Sequence, residues 1–268
     1  MFILAAFIIS LCVTGAYCLA FGFVLPNALL IFVGVNVAVP VLYVAFLLIV
    51  SLFYLKPKPM EKWSEVCWRL ASIALRGICN YAGLRFCLSG KELLPTDSRF
   101  VFVSNHRSAF DPLSVIGYLP EYRITFISKE ENMRFPIVGQ LGPRIGILGL
   151  DRENDRKALK TILTAINYIK KDLCSIAIYP EGTRSKTKEL LPFHAGSFKI
   201  AQKADVPVIV AASYGGENVK HNILRRPTDQ HVDILECIPA DKVREMSTNE
   251  LADYAKALIE KHLEEVSA

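Results

Sequence analysis

Residues 1 to 55 contain no Asp, Glu, Lys, Arg or His, and every charged side chain of the 268-residue chain falls from Lys56 onward. A stretch this long and this apolar has few stable homes in water, because an exposed apolar surface of that size must be buried in a partner, a core or a bilayer. Pro26-Asn27 interrupts it, leaving a run from Phe2 to Leu25 and a second from Ala28 to Leu55. As a helix either run reaches about 35 to 40 Å at the usual rise per residue, against a hydrocarbon core of about 30 Å. The chain therefore reads as a membrane helical hairpin over 1–55 followed by one polar domain over 56–268. A cleaved signal peptide fits less well: no basic residues precede the apolar run, and the run is too long.

Lys56, Lys58 and Lys62 follow the second run directly, with Arg69 and Arg76 soon after. The positive-inside rule places the polar domain in the cytoplasm. Two spanning helices and a hairpin that enters one leaflet predict the same side, and Gly34 and Pro40 suit a bent second helix. The net charge of +5 belongs wholly to the polar domain, where it favours anionic membrane lipids. With no recognition motif and no basic block, nucleic acid is not expected as a partner. The seven cysteines have no paired or zinc-like spacing and read as reduced.

Residues 61 to 82 carry apolar side chains at helical spacing, with either the core or the membrane interface as the partner of that face. Short β-rich runs then alternate with helical patterns. The strand candidates are 85–88, 100–104, 124–128, 175–179, 208–212 and 232–237; the helical ones include 155–171, 195–204 and 248–266. That alternation predicts an α/β fold, a mainly parallel sheet flanked by helices. Sites in such folds lie beyond the C-terminal ends of strands, which directs attention to the loops after Val103 and Tyr179.

The first loop reads Ser104-Asn105-His106-Arg107-Ser108-Ala109-Phe110-Asp111-Pro112. Pro112 suits the first helical position and Asp111 the N-cap, so the loop can fold back and bring carboxylate to imidazole. A carboxylate on one ring nitrogen fixes the tautomer and supports the imidazolium during proton transfer. The bland alternative is a helix cap beside a hydrogen-bonded histidine. The second loop reads Tyr179-Pro180-Glu181-Gly182-Thr183-Arg184-Ser185. Gly182 lets backbone N–H groups approach a ligand, and Arg184 offers a planar fork for phosphate. Its bland alternative is a surface turn with a solvated arginine.

Together, Asn105-His106-x4-Asp111 and Pro180-Glu181-Gly182-Thr183-Arg184-Ser185 resemble the first and third motifs of the lysophospholipid acyltransferase family. The likeness is greatest to the 1-acyl-sn-glycerol-3-phosphate acyltransferases. Between them, Lys129-Glu130, Pro136, Gly139 and the run Gly146 to Arg152 resemble the second motif, ending on Arg152. Phe193-His194-Ala195-Gly196 and Val206-Pro207-Val208-Ile209 resemble the approach to the fourth. An N-terminal helical hairpin is also a family feature, and the likeness extends over roughly residues 61 to 215. Three positions depart from the pattern: Gly149 stands where an aromatic residue is usual, His194 where lysine is common, and Val210 where the fourth motif closes on proline.

The resemblance implies transfer of a fatty acyl group from acyl-CoA or acyl-carrier protein to the free hydroxyl of 1-acyl-sn-glycerol-3-phosphate, giving phosphatidic acid. Another lysophospholipid or a lyso-amino-acid lipid is the alternative acceptor. His106 is then the base and Asp111 its orienting partner. Arg184 and Arg152, with Lys129 as a third candidate, bind the acceptor phosphate, and Glu181, Gly182 and Thr183 contact the acceptor. Backbone groups of either loop serve the oxyanion. Transfer is direct in a ternary complex, with no cofactor and no metal, since the five histidines lack metal-ligand spacing. Two rival classes read less well. A serine hydrolase lacks its GxSxG elbow, Ser197 and Ser213 having no flanking glycines. A non-catalytic membrane scaffold does not account for a full set of polar groups in both motifs.

Overall fold

The structure, a computed structural model, describes residues 2–52, 60–185, 187, 189–223 and 225–267, with side chains from Ala6 onward. It divides into two compact units, Met1–Pro57 and Lys58–Ala268.

The first unit is a pair of helices, α1 (Phe2–Phe21) and α2 (Leu25–Leu52). The break falls before Pro26 rather than at it. Gly22 adopts φ +82, the left-handed conformation that ends helices, and Pro26 sits in the first turn of α2, where its missing N–H costs nothing. The helix then continues through Pro40. Asn36 donates to Ser10 Oγ at 2.7 Å, and Phe7 meets Phe32 edge to face at 5.4 Å, so polar and aromatic contacts lock the pair. The outward faces are apolar and open, with Leu19 91% and Leu30 72% exposed. By length and composition α2 is sufficient to cross a membrane, whereas α1 from Ala6 to Phe21 is a shorter apolar helix. Of the basic flank, Lys56 and Lys58 lie outside the described residues; Lys62, Arg69 and Arg76 are exposed.

The second unit runs α3 (Glu65–Tyr81), β1 (Leu84–Ser89), β2 (Val101–Ser104), α4 (Phe110–Tyr118), β3 (Ile124–Lys129), α5 (Val138–Leu141) and β4 (Leu148–Leu150). It continues with α6 (Asp155–Lys170), β5 (Ser175–Ile178), α7 (Lys199–Ala204), β6 (Val208–Tyr214), α8 (Val219–Asn222), β7 (Thr228–Ile238), α9 (Ala240–Glu245) and α10 (Thr248–Glu265). Seven strands form one sheet in the order β1-β7-β6-β2-β5-β3-β4. The five from β6 to β4 are mutually parallel, while β7 runs antiparallel to β6 and parallel to β1. The expected α/β fold with a mainly parallel sheet is therefore observed, and the short edge strand β4 is added to the strands read in sequence.

Central strands β2 and β5 are buried at every residue, as parallel strands covered on both faces must be. Alternation assigns the faces. Val101, Val103, Ile176 and Ile178 join α6, α7 and α10 on one side through Ile169, Ile200 and Ile259. Phe102 and Ala177 join α4 on the other through Val115 and Leu119. Helix α3 puts Trp68 into the core, where its indole N–H reaches the Pro120 carbonyl at 2.8 Å, so the core claims one face of the expected 61–82 helix.

Because β2 and β5 are adjacent and in register, with Val103 opposite Ile178, the loops that leave their C-terminal ends begin side by side. This pairing brings together two motifs far apart in sequence.

Candidate active site

His106 and Asp111 meet as expected, with Nδ1 2.9 Å from Oδ2. The helix start differs: α4 begins at Phe110, with Ala109 at the N-cap position making no side-chain cap bond. Ser108 Oγ accepts from the Phe110 N–H at 3.2 Å, so serine serves the helix end. Asp111 is released from capping, and its carboxylate turns back onto the loop. Oδ2 accepts the backbone N–H of Arg107 at 2.9 Å and of Ser108 at 2.8 Å, besides the imidazole. Oδ1 accepts from Ser213 Oγ at 3.0 Å and Gln230 Nε2 at 2.9 Å. Asp111 is only 2% exposed, and a carboxylate so buried and so fully bonded has one orientation.

With Nδ1 engaged, Nε2 is the ring nitrogen left for chemistry. The ring, 19% exposed, packs on Tyr179 with centroids 4.6 Å apart. Burial, and secondarily the nearby Asp111, push the Tyr179 phenol well above its ordinary range, and its hydroxyl has no hydrogen-bond partner among the described residues. Asn105 holds the loop's base by pairing its side-chain amide with the Ser213 backbone, donating at 2.8 Å and accepting at 2.7 Å.

The second loop is tied directly to the first. Glu181, 3% exposed, accepts the His106 backbone N–H on Oε1 at 2.6 Å and the Leu191 N–H on Oε2 at 3.0 Å. Ser185 N–H donates to the His106 carbonyl at 2.9 Å, so both backbone groups of His106 belong to this loop. Burial raises the Glu181 carboxyl above its usual range, against the pull of those two N–H groups. Both carboxylate oxygens of Glu181 are thus occupied by protein, a clamping task the sequence did not reveal.

Gly182 has φ +70, a conformation that favours glycine. A β-carbon there would stand 3.2 Å from the His194 ring and 3.8 Å from the Arg152 guanidinium carbon. The final arginine of the second motif is therefore delivered onto the third-motif loop. Thr183, Arg184 and Arg152 are exposed, and among the described residues neither arginine is paired with a carboxylate. Lys129 is not brought into this group in the same way: its ammonium sits 2.9 Å from Glu131 at the end of β3. At Gly149 a β-carbon would lie 2.2 Å from Glu130 Oε2 and 2.8 Å from Met133 Cγ, so any side chain there would require both neighbours to shift.

Gln230, and Ser213 as a partner of Asp111, escaped the sequence reading. Their only signal is polarity at buried positions of β6 and β7.

The comparisons with known proteins bear on the same region. A family model described as Acyltransferase matches residues 85–213. A Haemophilus influenzae protein named 1-acyl-sn-glycerol-3-phosphate acyltransferase is 31% identical over 186 residues, covering 68% of this chain and 77% of its own. The chain belongs to the lysophospholipid acyltransferase family. It is an O-acyltransferase, whose substrates in general are an acyl donor and a lysophospholipid acceptor. A Salmonella typhimurium family member with the same name is 34% identical over 170 residues, 62% of this chain and 67% of its own. In fold, the family is represented by the crystal structure of the Thermotoga maritima 1-acyl-sn-glycerophosphate (LPA) acyltransferase. It aligns over 85% of this chain and 89% of its own with TM-score 0.62 at 24% identity.

Proposed function

We propose that this acyltransferase moves a fatty acyl group from a thioester, acyl-CoA or acyl-carrier protein, to the free hydroxyl of 1-acyl-sn-glycerol-3-phosphate, forming phosphatidic acid. The carrying observation is the His106 Nδ1 to Asp111 Oδ2 contact of 2.9 Å, which leaves Nε2 for the substrate hydroxyl and so supports this reading. Nε2 accepts the hydroxyl proton as the oxygen bonds to the thioester carbonyl carbon. The tetrahedral intermediate then collapses, breaking the C–S bond, and the thiolate takes the proton back from His106. No group on the protein is acylated, and no cofactor is needed.

Arg184 and Arg152 supply fixed positive charge for the acceptor's phosphate, Arg184 through its planar fork. Gly182 and Thr183 line the approach to that charge. Glu181 serves by holding the His106 backbone, and Lys129, engaged by Glu131, contributes to the surrounding potential. The exposed apolar faces of α1 and α2 anchor the enzyme in membrane lipid, with the catalytic unit on the cytoplasmic side.

Purified enzyme in detergent micelles, given acyl-CoA or acyl-carrier protein and a panel of lysolipids, tests the reading. His106→Ala should lower kcat by about 10² to 10⁴. Transfer to no lysolipid by the wild type, or undiminished transfer by His106→Ala, defeats it.

A further inference from the structure

Asp111 is held from outside its own motif, by strands 102 and 119 residues further along the chain. The Gln230 contact comes from β7, beyond the residues 85–213 that the family model matches. We propose that Gln230 is a positioning residue of acyl transfer, acting through Asp111 to fix the His106 imidazole. This inference rests on the reading of His106 as the base.

Gln230 is fully buried, and its Nε2 donates to Asp111 Oδ1 at 2.9 Å. Its Oε1 is buried with no hydrogen-bond partner among the described residues. The amide cannot be turned over, since that would set its oxygen against a carboxylate oxygen, two acceptors with no proton between them. A side chain that only filled space here would be better apolar, because an apolar residue leaves no orphaned carbonyl. The polar cost is retained at the one place where it supplies a donor to Asp111.

The backbone after β6 runs close behind the amide. A β-carbon at Gly216 would lie 3.1 Å from both Cγ and Cδ of Gln230, so glycine there leaves the side chain its room. Ser108 Oγ donates to the Gly216 carbonyl at 2.8 Å, which ties that backbone to the His106–Asp111 loop. Gln230 and Ser213 thus saturate Oδ1, and Oδ2 is left to the imidazole and two backbone N–H groups. A carboxylate bonded on all sides cannot rotate, and the ring it holds cannot swing away from the hydroxyl. Without the Gln230 donor, Oδ1 keeps only Ser213 and the carboxylate gains a rotational freedom that the imidazole follows.

The test uses Gln230→Met, of similar length without a donor, and Gln230→Glu, assayed in micelles beside wild type and His106→Ala. Gln230→Met should lose about 10- to 100-fold in kcat, the scale on which lost supporting hydrogen bonds act. Its KM for either substrate should move by no more than about two-fold, because the interaction is made to the catalytic group and not to the ground state. Its thermal midpoint should hold or rise as the orphaned oxygen is removed. Gln230→Glu places a second carboxyl on Asp111, whose other oxygen holds the His106 imidazole and whose charge also reaches the Tyr179 phenol. Protonated, it donates as the amide did; ionised, it repels Asp111. Its activity should fall as pH rises, along a limb that the wild-type profile lacks.

Wild-type kcat in folded Gln230→Met overturns the proposal, as does a Gln230→Glu profile that superimposes on wild type. If Gln230→Met does not fold, the Gln230→Glu profile decides alone. His106→Ala separates the two levels: full activity there defeats the base assignment itself, whereas an inactive His106→Ala beside a fully active Gln230→Met defeats only the role of Gln230.

Discussion

Among the described residues two Asp–His pairs stand out, one between the loop after β2 and α4 and one between β7 and α10, and they do different work. His106 meets Asp111 through Nδ1 at 2.9 Å; His262, in the last turn of α10, meets Asp233 through Nε2 at 2.8 Å. Each aspartate also takes a serine hydroxyl, Ser213 for Asp111 and Ser89 for Asp233, and a third side-chain donor, Gln230 for the first and Tyr214 for the second. The difference lies in which nitrogen is spent and what stands opposite. His106 keeps the outer nitrogen of its ring, and a second loop bearing Arg184 is bonded to its backbone. His262 spends the outer nitrogen on the sheet, tying the C-terminal helix to β7. An aspartate beside a histidine therefore identifies nothing alone; the free ring position and the facing loop do.

Exchanging the carboxylates probes that contrast hardest. Asp111→Asn should reduce kcat by about 10³ to 10⁴, since the amide offers one acceptor oxygen where five donors converge and no longer holds the reactive tautomer. Asp233→Asn should leave kcat at its wild-type value in the same steady-state assay. A comparable loss in both would erase the distinction between them.

The facing loop is tested next. Arg184→Ala should raise KM for the lysolipid by about 10- to 100-fold, the worth of a charge-assisted contact, with the KM for acyl donor little changed. Arg184→Lys should recover part of that, because the charge returns without the fork. A defect confined to the acyl donor would move the phosphate site elsewhere.

The smallest effect concerns the second pair as a structural tie. His262→Ala should cost about 0.5 to 1.5 kcal/mol of stability, read from the denaturant midpoint, with kcat unaffected. Burial would raise the Asp233 carboxyl, but hydrogen bonds from Ser89, His262 and Tyr214 outweigh it and hold it below its usual value of 3.8. Stability from such a lowered carboxyl is complete above the unfolded value and disappears as pH falls through the folded one. Removing His262 should therefore move the acid unfolding midpoint to higher pH by circular dichroism. An unchanged midpoint would show that Ser89 and Tyr214 suffice.

What could be read before folding followed local chemistry. The charge-free front, the strands β2 and β5, and the two loops beyond them each announce themselves within a dozen residues. The antiparallel turn of β7 against β6 does not, because nothing within either strand fixes its direction, which depends on the connection between them. Asp111 looked like a helix cap because Pro112 follows it; Ser108 took that task, a competition between neighbours that spacing does not settle. Glu181 looked like a ligand-facing acid, and its two bonds to the His106 and Leu191 N–H groups carried no mark in the sequence. Gln230 had no local pattern at all, since its partner is 119 residues away.

Asn105 carries one more consequence. Strand β2 ends its ladder with β6 at Ser104 opposite Ala211, and the Asn105 amide then pairs with the Ser213 backbone as another stretch of main chain would. A side chain here impersonates backbone, so the chain is free to change direction while the seam to the next strand stays closed. For anyone redesigning the enzyme, this splice marks the boundary between sheet and reactive loop: a change at Asn105 opens the seam between β2 and β6.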